Sequence, residues 1–178
     1  MKKSGRKQIL ALGLLFIAVL GCKSFKALTN PTVVTSADGK FQLTVPAGWS
    51  KTTELNDKGD IQAANKLEEL YVVVLIEAQE DFSTNITLDD FTDITRKSLM
   101  SNYQSPQATS LESISINGNE ARQYELSGTT ATTAVVLLVT TVKTSSHYHQ
   151  ILAWTLRSKM HQNRDTLKQV VATFRPTS

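Results

Sequence analysis

LYVVVLI, residues 70–76, is the stretch from which the rest of the chain can be read. It is apolar throughout and rich in β-branched side chains, with Glu68 and Glu69 before it and Glu77 after it. Seven such residues are too few for a buried helix and suit a strand in the middle of a sheet, covered on both faces. Any neighbouring strands must then come from elsewhere in the chain, and turn signals show where. Phe41, Leu43 and Val45 alternate with Gln42 and Thr44, the period-two pattern of a half-buried strand. Asp38-Gly39 marks a turn before that strand. After it, Pro46-Ala47-Gly48 reads as a turn with proline second and glycine fourth. Ile114 and Ile116 run into Asn117-Gly118, a pair that tolerates the positive φ of a tight hairpin, and residues 122–126 form the return. Residues 134–142 and 147–156 supply two further long strands, joined through 143–146.

Two segments carry helical spacing instead. Thr87 stands three residues before Asp90, a near-match to the capping box, and Asp89, Asp90 and Asp93 favour the positive end of a helix dipole. Leu88, Phe91, Ile94, Leu99 and Tyr103 form the expected apolar stripe. Near the end, Leu167, Val170, Val171 and Phe174 repeat at i, i+3, i+4 and i+7. Two amphipathic helices and a mostly antiparallel sheet predict an α+β layered domain.

The N-terminus has a different character. Residues 1–8 carry Lys2, Lys3, Arg6 and Lys7 without an acid, and residues 9–20 contain no charge. Spanning a bilayer takes about 20 apolar residues, so this run is a secretory signal rather than a transmembrane helix. It ends in VLGC, residues 19–22, which contains the chain's only cysteine. This quartet resembles the lipobox of bacterial lipoproteins, with Leu20 where a smaller residue is commoner. The resemblance implies cleavage between Gly21 and Cys22 and a diacylglycerol thioether on Cys22. Two acyl chains anchor stably where one does not. Lys23 stands where, in that family, an aspartate would favour the inner membrane. The expected location is therefore the cell envelope, on the outer membrane facing the periplasm where the organism has two membranes.

Removing residues 1–21 changes the charge argument. The full chain of 178 residues has 19 Lys plus Arg against 16 Asp plus Glu. Four bases and no acids leave with the signal, so the mature part carries 15 bases and 16 acids. That balance, without a basic patch interleaved with aromatics, excludes a nucleic-acid partner. No second cysteine is present to form an internal disulfide. The division expected is a signal over 1–21, acylated Cys22 and a tether over 22–32, and one domain over 33–176.

The segments DGKFQLTVPAGW (38–49), ELYVVVLIEAQEDF (69–82), TLDDFTDITRKSL (87–99), INGNEARQYEL (116–126) and YHQILAWTL (148–156) together resemble the PsbP-like superfamily. Within it they are most similar to the bacterial DcrB-like envelope lipoproteins. The resemblance implies an α/β/α sandwich around a central antiparallel sheet. Members include photosystem II extrinsic subunits, a Ran-binding protein and secretion-effector chaperones, whose common thread is binding or assembly rather than catalysis.

Catalytic signatures are missing from the sequence. The five glycines of the mature part are isolated, which excludes a glycine-rich phosphate cradle. No serine sits in a G-x-S-x-G elbow and no H-E-x-x-H occurs. The acid pairs Glu68-Glu69, Glu80-Asp81 and Asp89-Asp90 are adjacent in sequence, so their carboxylates point apart and make no acid/base dyad. NDKGD, residues 56–60, lacks the ligand spacing of a calcium loop. His147 and His149 are two apart on a strand, share a face, and are the candidate metal ligands. A zinc site wants three or four protein ligands and His161 is the only other histidine, so no metal and no cofactor are expected. Trp154 is assigned to a core face with Tyr148, Leu152 and Leu156, and Trp49 to one end of the sandwich; if a pocket exists, aromatic residues at the domain's end are the first place to look. The sequence thus predicts no enzyme. It predicts an anchored envelope lipoprotein with a binding, scaffold or assembly role toward an envelope protein, the alternative being capture of a small molecule or metal.

Overall fold

The computed structural model describes residues 30–82 and 84–177, so the signal, Cys22 and most of the tether lie outside the described residues. The elements, in chain order, are β1 (Thr32–Thr35), β2 (Phe41–Val45), β3 (Ser50–Lys51), β4 (Ile61–Asn65), β5 (Leu70–Ala78), α1 (Leu88–Ser101), β6 (Gln104–Ala108), β7 (Glu112–Ile116), β8 (Asn119–Thr130), β9 (Thr133–Lys143), β10 (His147–Leu156), α2 (Met160–Ala172) and β11 (Arg175–Pro176). β1 opens at Thr32, the last residue of the stretch read as tether.

Eight strands form one antiparallel sheet in the order β3-β4-β5-β10-β9-β8-β6, with β7 pairing β8 beside β6. A second, three-stranded sheet has the order β1-β2-β11. β5 lies between β4 and β10, the inner position its sequence predicted. Val72, Val73 and Val74 are buried there, while Tyr71, Leu75 and Ile76 are only half-buried. The most enclosed strand is β9, buried without a break from Val135 to Val142.

Strand parity divides the large sheet into two faces. Glu125 of β8 and Thr155 of β10 reach Arg164 and Asn163 of α2. Arg122 of β8 and Thr141 of β9 reach Asp89 and Thr92 of α1. One helix therefore covers each face, and the small sheet joins α2 on its side through Val34, Phe41, Leu43 and Val45. This is the expected α/β/α arrangement.

Local chemistry explains the main elements. Thr87 Oγ1 accepts from the Asp90 backbone N–H at 3.1 Å and an Asp90 carboxylate oxygen accepts from Thr87 N–H at 2.9 Å, closing the capping box. The stripe of α1 differs from the expected one. Leu88, Phe91, Thr92 and Thr95 are buried, whereas Ile94 is 53% exposed. At about 100° per residue Ile94 stands roughly 110° round the helix from the centre of that set. The stripe in α2 is as expected: Leu167, Val170, Val171 and, just past the helix, Phe174 are each no more than 1% exposed.

One turn is shifted by a residue from its sequence reading. Trp49 N–H donates to Pro46 C=O at 3.4 Å, so Pro46 is first in the turn and Gly48 third, at φ +86°. The third position of a type II turn needs that sign of φ, and this need outweighs the preference of proline for the second place. Asn117 and Gly118 both take positive φ in the β7-β8 hairpin, as expected. The Asn117 amide also donates to Ala172 C=O and Phe174 C=O, at 3.0 and 2.7 Å, and pins this hairpin to the end of α2.

Candidate functional site

The two histidines of β10 share the α2-side face, as strand spacing requires, with ring centroids 6.0 Å apart. His149 is fully buried, its ring 4.5 Å from that of Phe41 and 4.9 Å from that of Phe174. Nε2 lies 3.1 Å from Thr144 Oγ1, and Nδ1 has no partner among the described residues. Burial, helped by His147, lowers its pKa to about 3, so the imidazole is neutral at physiological pH. His147 is half-buried, with Nδ1 2.7 Å from Ser146 Oγ. The Phe41 ring packs edge-on against both imidazoles. His161 is on α2 and lines a cleft to which neither strand histidine contributes. Among the described residues, no group of three His, Cys, Asp or Glu is placed to hold a metal ion.

The acids singled out in the sequence have structural partners or face solvent. Glu69 meets Lys159 at 2.8 Å, and Asp89 meets Arg122 at 2.7 Å. Asp90 closes the helix cap, and its bonds to Thr87 hold its carboxyl below the usual range. Asp60, the last residue of the NDKGD stretch, and Glu77 have pKa values raised chiefly by partial burial. Asp60 accepts from Ile76 N–H at 2.8 Å, which fixes the entry to β4 against β5. On the other face, burial pushes Tyr124 up to about 12, and its hydroxyl has no partner among the described residues. A phenol held protonated in this way cannot serve as a base or nucleophile near neutrality.

Surface clefts open to solvent among the described residues include three. The first, of about 490 Å³, runs between α2 and the strands β6 and β8, and includes Arg157, His161, Arg164, Glu125 and Met160. A second of about 320 Å³ continues along α2 to Lys168 and Glu112 and shares Thr109 and Glu125 with the first. The third, of about 460 Å³, lies beside β3 and β4 at the opposite end of the sheet and includes Lys51, Asn65 and Leu67. Neither tryptophan lines these clefts. Trp49 is 6% exposed within the core, and Trp154 stacks on Tyr71 with centroids 5.2 Å apart. The tryptophans that would mark an aromatic end of the domain thus take no part in these clefts.

Sequence reading missed the α2 clefts because their lining comes from four separate segments, residues 107–112, 123–127, 136–138 and 157–168. One signal was available: Arg157, His161, Arg164 and Lys168 are spaced four, three and four apart, the spacing of one helical flank. Arg164 donates to Glu125 through Nε at 2.6 Å and through a terminal nitrogen at 3.0 Å, a bidentate pair in the wall common to both clefts. Thr109 fixes the same wall, donating its N–H to Glu125 C=O and accepting Glu125 N–H on Oγ1, both at 3.0 Å.

No protein-family model matches this sequence, and no curated protein matches it. Solved structures do match at the level of fold. The cyanobacterial PsbP (CyanoP) of Synechocystis sp. PCC 6803 superposes with a TM-score of 0.62 at 12% identity, over 89% of this chain and 98% of that one. LpqN, involved in cell envelope biogenesis of Mycobacterium tuberculosis, gives a TM-score of 0.61 at 15% identity, over 83% of this chain and 91% of that one. A protein of unknown function from Pseudomonas aeruginosa gives 0.53 at 11% identity, over 83% and 98% of the two chains. The fold is thus a PsbP-like α+β fold.

Proposed function

We propose that this chain is a lipid-anchored envelope protein whose domain binds a protein partner, as a scaffold or assembly factor, without catalysing a reaction. The observation that carries the reading is the position of VLGC, residues 19–22, directly behind an apolar run and about ten residues ahead of the first strand at Thr32. Cleavage and acylation there leave Cys22 as the lipid-bearing first residue. Ten extended residues reach at most ~35 Å, which holds the domain close to the membrane surface. The shared fold with LpqN adds support from a protein involved in envelope biogenesis, although at this identity the likeness itself is one of fold. The open clefts suit contact with another chain better than enclosure of a small molecule, which is normally buried over most of its surface.

One experiment tests anchor and partner together. The full chain is expressed in cells fed labelled palmitate and crosslinked in place, beside a Cys22→Ala variant. The wild-type chain should take up label and yield a reproducible envelope protein adduct, and the variant should take up none. Label in the Cys22→Ala protein would overturn the anchor, and the lack of any reproducible envelope adduct would overturn the binding role.

A further inference from the structure

We propose that the paired clefts along α2 receive an extended acidic segment of a protein partner, with its carboxylates held by Arg157, His161 and Lys168. This rests on the protein-binding reading above and names the surface that does the binding.

Charge distribution is the first argument. From residue 30 onward the chain has 13 Lys plus Arg against 16 Asp plus Glu, so the folded domain is net acidic. Four of those bases, Arg157, Lys159, Arg164 and Lys168, fall within twelve residues that hold one acid, Asp165. The flank facing the clefts takes Arg157, His161, Arg164 and Lys168. Of these, Arg164 is already paired with Glu125. Arg157, His161 and Lys168 make no ion pair among the described residues, and they stand on either side of that pair. Glu112 at the Lys168 end and Glu125 at the centre are the acids in the lining. A ligand carboxylate is therefore favoured at the Arg157–His161 end first.

Dimensions are the second argument. Arg157 lies in a 3₁₀ turn, Arg157–Lys159, that leads into α2 at Met160. At ~2.0 Å per residue in the turn and ~1.5 Å in the helix, residues 157 to 168 span ~18 Å. An extended chain advances ~3.3 Å per residue, so about five residues lie along this length, and side chains on one face recur every ~6.6 Å. By the same rises Arg157 and His161 are roughly 7 to 8 Å apart along the axis, close to that recurrence. Acids at the first and third positions of such a segment reach Arg157 and the His161 N–H, and one near its far end reaches Lys168, while the intervening backbone crosses polar groups of Gln107, Thr109 and Ser127. The apolar floor is short: Met160 is 3% exposed and Val136 7% exposed. It takes a small side chain, and an open trough of this kind cannot enclose an acyl chain. A peptide is accordingly the favoured occupant over a lipid.

The test uses the full chain in mild detergent and a fluorescein-labelled six-residue peptide alternating Glu and Leu, followed by fluorescence anisotropy. A matching Lys-Leu peptide and phosphatidylglycerol vesicles are run beside it. The acidic peptide should bind, and Arg157→Glu combined with Lys168→Glu should weaken it at least tenfold. Lys97→Glu, an exposed change on α1 across the sheet, should leave binding unaltered. Arg157→Gln, which removes charge without reversing it, should give a smaller loss in the same direction and guards against misfolding of the double variant. Equal weakening by Lys97→Glu, equal binding of the Lys-Leu peptide, or binding of the vesicles alone would overturn the proposal. In crosslinked cells the double variant should lose the envelope adduct. An adduct kept at full yield would overturn the cleft assignment while leaving the wider protein-binding role intact.

Discussion

The two faces of the large sheet are built differently. On the α2 side one continuous apolar cluster runs from Val34 and Leu43 of the small sheet through Ile61, Val72 and Ile151 to Leu167 and Phe174. On the α1 side the apolar contacts fall into two groups. One contains Tyr124, Leu126, Val139 and Leu152, and the other contains Leu88, Phe91 and Tyr148. Between them lies a polar layer. Thr92 of α1 meets Thr141 of β9 at 2.6 Å, and Gln150 is buried beside Thr141 on β10 with its amide nitrogen unpartnered among the described residues. Hydrophobic stabilisation scales with apolar area removed from water, whereas buried polar contacts contribute little net stability and cost much when broken. The α2 face therefore carries most of the stability, and the α1 face is held by fewer, more specific contacts. The proposed binding clefts border the stronger face, where a ligand meets a wall that does not yield.

The largest expected effect tests this asymmetry directly. Leu167 is 0% exposed in the continuous cluster, and Leu167→Ala should cost ~2–5 kcal/mol in urea unfolding. Leu99, only partly buried against the divided face, should lose about half as much on the same change. Equal losses at the two sites would break the comparison.

A second effect comes from His149 Nδ1, a buried side-chain atom of the stronger core with no partner among the described residues. With a folded pKa of about 3 against an ordinary 6.5, His149 stays neutral in the native state while the unfolded chain takes up a proton. The unfolded state thus binds more protons between those values. Stability is full above pH 6.5 and falls with decreasing pH, by up to about 1.4 kcal/mol per unit. His149→Leu should remove this slope between pH 6.5 and 5. Thr144 Oγ1 keeps its bonds to the His147 backbone, so the variant leaves no broken partner. Asp60 and Glu77, with raised pKa values, act with the opposite sign: their protonation in the native state adds stability as pH falls. Both are present in each protein and cancel in the difference. Parallel pH profiles for wild type and variant would show that His149 is more hydrated than its packing indicates.

How much of this was legible in the sequence depends on range. The LYVVVLI strand, the Asn117-Gly118 hairpin, the Thr87 cap and the Leu167 stripe were readable because neighbouring residues determine them. Short edge elements were not. β3 and β11 are two residues each, and β11 is defined only by pairing with Phe41 and Gln42 at the other end of the domain. Ile94 was misassigned because spacing by three from Phe91 looks helical even when Thr92 and Thr95 occupy the inner stripe, and a hydropathy pattern discounts threonine. The histidine pair was placed correctly on one face, but the aromatic rings around it come from Phe41 and Phe174, more than a hundred and about twenty-five residues away in the chain. The α2 clefts are tertiary in the same sense, and only the four, three and four spacing of Arg157, His161, Arg164 and Lys168 announced them.

The threonines that hydropathy discounts offer the finest test of the divided face. Thr92 Oγ1 donates to Leu88 C=O at 2.7 Å, so in the 2.6 Å contact with Thr141 the Thr141 hydroxyl must be the donor and Thr92 the acceptor. The two substitutions are therefore unequal. Thr92→Val leaves the buried Thr141 hydroxyl without an acceptor and should cost ~1–3 kcal/mol. Thr141→Val removes only a donor to Thr92, which keeps its bond to Leu88, and should cost about 1 kcal/mol or less. With both replaced, shape is conserved and no hydroxyl is stranded, so the double variant should be less destabilised than the two single losses added together. A urea-unfolding double-mutant cycle measures this coupling. Additive losses would mean that the two hydroxyls are independently solvated, and the polar layer would then be a wet seam rather than a bond between α1 and the sheet.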